Sequence, residues 1–282
     1  MPLIANNPPS IADLFSLFDC PGCKEGLLRW SFPSSLQALP DEGSATCSGC
    51  QRSYPLKNGI LDFLAGTSHH EVITPFQRLM QFPPITAIYE KYWRPLGFFV
   101  ASSSSFLRFS AGLIQRLEPE KRKCTLDLAC GPGLFACPLA AQTSGWVIGF
   151  DLSLPMLRQA RKKAACLGLR NILFVRGSAF SLPFRNDALD AILCSGALHL
   201  FDRPEDALSE ISRTLARHGR FVCQTTIKPR YSAGLAPFLD HVIRFGFFKS
   251  TEDLNEKLLR AGIQVELVWR RRIIHAFQAR RV

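Results

Sequence analysis

The second half of the chain, residues 124–282, alternates short apolar runs with longer amphipathic segments. The apolar runs have the length of buried strands, and the segments between them are long enough for helices. This alternation predicts an α/β fold, in which helices pack on both faces of a mainly parallel sheet. The predicted strands are 125–128, 146–150, 172–175, 188–194 and 220–226, and the predicted helices are 153–167, 203–216 and 251–261.

The end of the chain departs from this alternation. Two apolar runs, 264–270 and 273–279, follow the last predicted helix with no helix between them. The corner that joins them, Arg270-Arg271-Arg272, predicts a hairpin. We therefore expect the sheet to include an antiparallel strand near its end.

The first predicted strand leads into a glycine-rich turn, Gly131-Pro132-Gly133, and a helix is predicted to begin near Leu134. Glycine lets the backbone approach a ligand closely, and the first turn of a helix offers free N–H groups. With Ala136 the turn also fits the dinucleotide pattern G-x-G-x-x-A, so the turn alone leaves the nucleotide open. Asp127 lies inside the strand, four residues before Gly131, where it can reach a ligand's amino group or order the turn.

Later segments extend this pattern. Asp151 ends the second predicted strand, and Gly177-Ser178-Ala179, after the third, continues to Leu182-Pro183-Phe184. Together with the turn they resemble the ordered motifs of class I S-adenosylmethionine-dependent methyltransferases of the type 11 group. In that family the acidic residue matched by Asp151 holds both ribose hydroxyls, a task that suits a carboxylate because it accepts two hydrogen bonds at once. Ser178 stands where the family usually has Asp, and its hydroxyl can accept the bond from the adenine amino group more weakly.

This resemblance covers roughly residues 124–281 and implies a Rossmann-like class I methyltransferase sheet with S-adenosylmethionine as cofactor. The cofactor-binding residues that it implies are Asp127, Ala129, Gly131, Gly133, Asp151, Leu152, Ser178, Ala179 and Ser195. His199 follows the fourth predicted strand, at the edge of the sheet where ligands bind in this architecture. A neutral imidazole there can take a proton from the acceptor, which makes His199 the candidate general base. A role in packing or loop shape is the alternative.

The resemblance continues outside the sheet. Cys20-Pro21-Gly22-Cys23, residues 74–95, Leu157-Arg158-Gln159 and Gly196-Ala197-Leu198-His199 resemble a subfamily from plants and photosynthetic bacteria. The chain is more loosely similar to ribosomal-RNA guanine methyltransferases with an N-terminal zinc finger. Both resemblances imply methyl transfer, and they leave the acceptor open.

Four cysteines in two Cys-x-x-Cys pairs, Cys20 with Cys23 and Cys47 with Cys50, predict a metal site near the N-terminus. Each pair can place two thiolates on one ion, and two pairs complete a tetrahedral structural zinc site. Because four protein ligands leave no open coordination position, we do not expect a catalytic zinc. A redox pair, or a knuckle that has lost its metal, is the alternative.

The sequence therefore divides into a zinc-ribbon-like segment (1–65), a helical lid or linker (66–122) and a methyltransferase domain (123–282). The middle segment is rich in aromatic residues, of which Tyr89, Tyr92 and Trp93 are spaced to share one helix face. Such helices either pack over the sheet as core or form a lid that encloses an apolar acceptor.

The net charge of +11 allows an acidic partner such as RNA, and five arginines lie late in the chain. We expect a small or lipid-like metabolite as acceptor, with RNA as the second candidate and a non-catalytic scaffold as the third.

The sequence shows no secretory signal and no transmembrane segment of about 20 apolar residues. Ten cysteines without a secretory signal favour reduced thiols and a cytoplasmic protein. The six cysteines outside the two pairs are expected mostly as buried small apolar residues, namely Cys124, Cys130, Cys137, Cys166, Cys194 and Cys223.

Overall fold

The structure is a computed structural model that describes residues 9–33, 36, 38–66, 105–228 and 248–282. Of the predicted lid or linker (66–122), residues 67–104, which include Tyr89, Tyr92 and Trp93, lie outside the described residues. No helix within the described ranges is long and apolar enough to cross a membrane.

The N-terminal segment is a short helix followed by a small antiparallel meander. Its helix begins where the Ser10 side chain accepts a hydrogen bond from the Asp13 backbone, and its apolar face is buried. The strands pair β1 with β2, β2 with β3 and β3 with β4. The elements are α1 (Ile11–Ser16), β1 (Leu28–Trp30), β2 (Glu42–Cys47), β3 (Ser53–Lys57) and β4 (Ile60–Asp62).

The remainder of the described chain alternates strands and helices as the sequence predicts. The first part contains α2 (Phe106–Leu117), β5 (Cys124–Leu128), α3 (Ala136–Ala140), β6 (Trp146–Asp151), α4 (Leu154–Cys166) and β7 (Ile172–Arg176). The second part contains β8 (Leu189–Ser195), α5 (Pro204–Thr214), β9 (Leu215–Thr226), α6 (Thr251–Arg260), β10 (Ile263–Arg271) and β11 (Ile274–Arg281). Short 3-10 turns lie at Pro119–Lys121 and Leu198–Leu200.

The strands of the described residues form one sheet in the order β1-β2-β3-β4-β7-β6-β5-β8-β9-β11-β10. Strands β7, β6, β5, β8 and β9 run parallel, and β11 pairs antiparallel with both β9 and β10. The parallel strands are buried on both faces, between two apolar core clusters. This architecture confirms the predicted α/β class, its Rossmann-like sheet and its antiparallel strand.

The N-terminal meander continues this sheet. Strand β4 pairs in parallel with β7, with Ile60 opposite Phe174 and Asp62 opposite Arg176. The Asp62 carboxylate also accepts a hydrogen bond from the Arg176 guanidinium at 3.1 Å. These N-terminal residues (9–33, 36 and 38–66), here called the cysteine segment, are therefore attached to the parallel sheet by a strand pairing and an ion pair.

Several predicted boundaries differ from the structure, and the largest difference is that the fifth predicted strand begins at Leu215 rather than at Arg220. The helix after the glycine turn begins at Ala136, two residues after Leu134, because residues 131–135 still form turns. The helix predicted over 203–216 ends at Thr214, since Leu215 is already extended (ψ 127°) and begins β9.

Candidate functional site

The carboxyl ends of β5, β6, β7 and β8 meet at one edge of the sheet because these strands run parallel. The glycine turn follows β5, Asp151 ends β6, Gly177 follows β7 and Ser195 ends β8. The edge thus gathers the residues that the sequence predicts for the cofactor site. Ligands of open α/β sheets bind at this edge.

The turn after β5 has two glycines with different surroundings. At Gly131 (φ 54°) an added Cβ would meet no atom within 4 Å, so the backbone there borders open space. At Gly133 (φ 78°) a Cβ would lie 3.1 Å from both the Ala160 Cβ and the Cys137 Sγ. Gly131 therefore lets a ligand approach the backbone, whereas Gly133 lets the turn pack against α4. Ala129 (φ 59°) shares the left-handed conformation at the start of the turn.

The Asp151 carboxylate is held by the turn that it faces. Its Oδ2 accepts the Gly131 N–H at 2.8 Å, and its Oδ1 accepts the Ser153 N–H at 2.8 Å. Burial raises the pKa of Asp151 above its usual value, and these backbone N–H groups oppose that shift. Each oxygen of the Asp151 carboxylate therefore accepts one backbone N–H, which fixes the side chain against the turn.

Asp127 lies beneath the turn, with 1% of its surface exposed. Burial raises the pKa of the Cys137 thiol to about 11, with the Lys163 charge opposing the shift and the Asp127 charge adding to it. Asp127 is the fourth residue of β5, just before the turn that starts with the left-handed Ala129. This position suits the ordering of the turn, one of the two roles that the sequence leaves open.

The loop after β7 carries two more of the predicted residues. Ser178 is 7% exposed, and its Oγ accepts the Phe180 N–H at 3.1 Å, so the hydroxyl closes a local turn. Ala179 packs against the core, and the Leu152 carbonyl accepts a hydrogen bond from Arg176 at 3.1 Å. The bond from Ser178 to an adenine amino group stays a prediction.

The loop after β8 is tied to the end of β9. Ser195 Oγ donates to Gln224 Oε1 at 3.2 Å, and the Gly196 N–H donates to the Gln224 carbonyl at 2.8 Å. His199 Nδ1 lies 3.2 Å from Thr225 Oγ1. Burial lowers the pKa of His199 to about 4, so its imidazole is neutral at pH 7. Gln224 and Thr225 were not predicted from the sequence. The pattern that could have indicated them is a pair of polar residues near the end of an apolar strand.

A second buried histidine lies beside this group. His275 is opposite Thr225 in the β9–β11 ladder and is 2% exposed. Neither of its ring nitrogens has a hydrogen-bond partner among the described residues. Burial and, secondarily, the Arg270 charge lower the pKa of His275 to about 4.

The four predicted cysteine ligands come together near the N-terminus. The Sγ atoms of Cys20 and Cys50 are 3.6 Å apart, those of Cys23 and Cys47 are 3.6 Å apart, and all four lie within 4.8 Å of one another. Tetrahedral zinc with Zn–S distances of about 2.3 Å separates its sulfur atoms by about 3.8 Å. The donor set and its spacing therefore fit one tetrahedral ion. Backbone N–H groups of the following turn lower the pKa of Cys23 to about 6, which favours a thiolate.

Residues 126–223 match the family model described as a methyltransferase domain. The chain carries a class I S-adenosylmethionine-dependent methyltransferase domain. This match spans the turn after β5, Asp151, the start of the β7–β8 connection and Ser195, the features that the structure gathers at one edge.

Known relatives extend this methyltransferase assignment. An uncharacterised chloroplastic methyltransferase of Arabidopsis thaliana is 29% identical over 272 residues, which cover 88% of this chain and 73% of the relative. A demethylmenaquinone methyltransferase of Thermus thermophilus is 41% identical over 101 residues, which cover 36% of this chain and 46% of the relative. The crystal structure of YcgJ from Bacillus subtilis superposes with a TM-score of 0.51 at 28% identity, over 57% of this chain and 72% of that protein. The match to the Thermus enzyme thus spans about half of that enzyme.

Three of the five late arginines lie near the methyltransferase site, whereas Arg280 and Arg281 lie at the opposite end of β11. The hairpin between β10 and β11 carries Arg270, Arg271 and Arg272, all exposed, and β11 begins with Ile274 opposite Thr226. Because Thr226 ends β9 at the carboxyl edge, the hairpin lies at the same edge as Ser195. Two to three strand spacings, roughly 10–15 Å, separate them.

The other cysteines of the methyltransferase domain are mostly buried, as the sequence predicts. Cys166 is the exception, because it lies exposed at the end of α4. Burial raises the pKa of the Cys124 thiol well above its usual value, and it does the same for Cys130 and Cys223. These thiols are suited to packing rather than to nucleophilic chemistry.

Proposed function

We propose that the chain transfers a methyl group from S-adenosylmethionine to a small, lipid-like acceptor. The observation that carries the cofactor part is the hydrogen bond from the Gly131 N–H to the Asp151 carboxylate, at a left-handed turn where a Cβ added to Gly131 would meet no atom within 4 Å. When bound, S-adenosylmethionine supplies an electrophilic methyl group on a sulfonium. The protein contributes position and an enclosed pocket.

In this proposal Asp151 accepts hydrogen bonds from both ribose hydroxyls, and the turn at Gly131 accommodates the rest of the nucleoside. Ser178 and Ala179 border the adenine. The remaining predicted contacts come from side chains or backbone at the same edge, namely Asp127, Ala129, Gly133, Leu152 and Ser195.

We further propose His199 as the general base. Its pKa of about 4 keeps the imidazole unprotonated at neutral pH, and also makes it a weaker base than a free imidazole. In the tautomer whose Nδ1–H donates to Thr225 Oγ1, the Nε2 lone pair is free to take the acceptor's proton. The competing interpretation is that the bond to Thr225 only shapes the loop after β8.

The lipid-like acceptor is supported by the demethylmenaquinone methyltransferases among the relatives. The decisive experiment incubates the full chain with labelled S-adenosylmethionine and, in parallel, a demethylated quinone, fractionated lipid extract and total RNA. We expect label in the quinone or lipid fraction. Label confined to RNA would contradict the proposed acceptor, and binding of S-adenosylhomocysteine without any labelled product would favour a scaffold.

RNA is the second candidate because the arginine hairpin lies at the carboxyl edge. Trp269, the aromatic residue next to these arginines in sequence, has one ring face covered, since the Arg116 guanidinium lies over it at 4.3 Å. That contact competes with the stacking of a base on the same face. RNA binding through this hairpin predicts affinity that falls steeply with salt.

We also propose that the four cysteines hold one structural zinc ion, for which the sulfur spacing is the supporting observation. Elemental analysis of protein purified without chelator tests this assignment. A cytoplasmic location stays a prediction, and the Arabidopsis relative is described as chloroplastic.

A further inference from the structure

The cysteine segment contacts the connection between β7 and β8, here called the β7–β8 loop (residues 177–188). The Asp19 N–H donates to the Pro183 carbonyl at 3.1 Å, and the Arg185 N–H donates to the Leu17 carbonyl at 2.9 Å. Phe18 and Phe184 form an antiparallel bridge between these bonds. The residues that lead into Cys20 therefore pair with the loop like a short strand.

Side chains strengthen this pairing. The rings of Phe18 and Phe184 are 5.0 Å apart, and both are fully buried. Ser181 Oγ donates at 3.3 Å to the carbonyl of Pro21, which lies inside the first Cys-x-x-Cys turn. The loop thus reaches the backbone between two of the metal ligands.

Glu210 on α5 holds the other side of the loop. It is 6% exposed, and its Oε2 accepts the Leu182 N–H at 2.8 Å. Arg213 binds both carboxylate oxygens of Glu210 at 2.8 Å and also donates to the Leu182 carbonyl at 3.0 Å. The Lys24 ammonium, directly after Cys23, lies 3.3 Å from Glu210 Oε1. One buried carboxylate therefore joins the loop and the cysteine segment.

We propose that the metal-loaded cysteine segment positions the β7–β8 loop for the cofactor, with Glu210 as a positioning residue, so that metal and cofactor binding are positively coupled. This inference rests on the proposed function, in which Ser178 and Ala179 border the adenine. The two cysteine turns, residues 21–25 and 48–53, contribute no buried apolar side chain, so their order depends on the metal. Loss of metal releases the Pro21 carbonyl and Lys24 from the loop, and ordering the loop then opposes cofactor binding.

The coupling is confined to one part of the cofactor site. The Gly131 and Ser153 N–H groups both donate hydrogen bonds to the Asp151 carboxylate. These three residues lie outside the cysteine segment, so metal loss should weaken cofactor binding without abolishing it. Thermodynamic linkage requires the reverse effect as well, because the cofactor must raise metal affinity by the same factor.

The test is calorimetric titration of S-adenosylhomocysteine into the full chain in three states: zinc-loaded, chelator-treated, and chelator-treated then reloaded with zinc. We expect the chelated protein to bind about 5- to 150-fold more weakly, the usual range of coupling between two sites, and zinc to restore the affinity. A chromophoric chelator should also remove zinc less readily when S-adenosylhomocysteine is present. Equal affinity with and without zinc overturns the coupling. Absence of binding in every state, or binding of NAD instead, overturns the proposed function.

If chelation unfolds the protein, variants that remove single contacts of Lys24 or Ser181 test the coupling instead. Lys24→Ala and Ser181→Ala keep all four cysteines, so zinc content should stay at one per chain while cofactor affinity falls. The KM for S-adenosylmethionine should rise with kcat unchanged, and Lys24→Arg should restore it. Lys57→Ala, an exposed lysine on β3, is the matched control and should bind as the unaltered chain does. Unchanged affinity in both contact variants contradicts the proposal.

Discussion

Asp151 at the end of β6 accepts the backbone N–H of Gly131 at 2.8 Å. This hydrogen bond joins the end of β6 to the glycine turn after β5 without any ligand. The same carboxylate is proposed to hold the ribose hydroxyls. The Asp151 side chain therefore fixes the turn and, in the proposed function, also contacts the ligand. Its removal should weaken binding through both effects.

Asp151→Ala should weaken binding of S-adenosylhomocysteine by on the order of 2 kcal/mol, because charge-assisted hydrogen bonds to the hydroxyls are lost. Calorimetry measures the change. Asp206→Ala, on the exposed surface of α5, is the control and should bind normally. Unchanged affinity in Asp151→Ala would show that the ribose is held elsewhere.

The two glycines of the turn should respond differently to alanine. Gly131→Ala adds a Cβ to open space at φ 54°, so we expect a stability loss of about 1–2 kcal/mol from the left-handed backbone and a marked loss of cofactor binding. Gly133→Ala adds the same strain and two contacts at 3.1 Å, so its melting temperature should fall further. Thermal melting and calorimetry on both variants test this order, which equal destabilisation would contradict.

Much of this edge was predictable from the sequence. Strand positions follow from apolar periodicity. The roles proposed for Asp127, Gly131 and Asp151 come from the resemblance of their motifs to class I methyltransferases, because the turn alone also fits a dinucleotide site. The attachment of the cysteine segment was not predictable, because β4 is only three residues long and pairs with a strand more than a hundred residues later in the chain. Gln224 and Thr225 were missed for a similar reason, since their partners Ser195 and His199 come from another loop.

His199→Gln tests the general base. If His199 takes the acceptor's proton, kcat should fall about 10²-fold while the affinity for S-adenosylhomocysteine stays unchanged. This is the lower end of the range for general bases, because a pKa of about 4 makes the imidazole a weak base. Because burial lowers the pKa of His199 to about 4, the kcat of the unaltered protein should show no acid limb near pH 6.5. A variant with normal kcat would assign His199 to loop shape alone.

His275 should make the folded state sensitive to acid. Its pKa in the folded protein is about 4, below the value near 6.5 expected in the unfolded chain. Between these values the unfolded chain binds more protons, so its contribution is present above pH 6.5 and is lost as the pH falls toward 4. The loss attributable to His275 is up to about 3 kcal/mol.

Urea unfolding at several pH values measures this dependence. His275→Leu should flatten the decline between pH 6.5 and 4. The control is His218→Asn, which changes an exposed histidine with a φ of 71° that asparagine tolerates, and which should leave the slope unchanged. An unaltered slope in His275→Leu would mean that other groups dominate the acid response.

The metal prediction is one zinc per chain, which should be lost when Cys20 and Cys23 are both replaced by serine. Since four thiolates surround the ion, loss of two should abolish tight binding rather than shift it slightly. Elemental analysis gives the zinc content, and proteolysis should then cut first within residues 9–66. Cys166→Ser, which removes an exposed cysteine from α4, is the control and should keep its zinc.

The acceptor prediction turns on the arginine hairpin, which lies at the carboxyl edge roughly 10–15 Å from Ser195. Neutralising Arg270, Arg271 and Arg272 together removes three positive charges from that edge. For a lipid-like acceptor we expect turnover to remain nearly intact, because the hairpin then contacts no reacting group. For RNA, the plot of log affinity against log salt should lose a slope of about 2–3, because each phosphate contact contributes about 0.7–0.9. Salt-sensitive RNA binding that the triple variant weakens, with methyl transfer to a base, would replace the lipid-like acceptor by RNA.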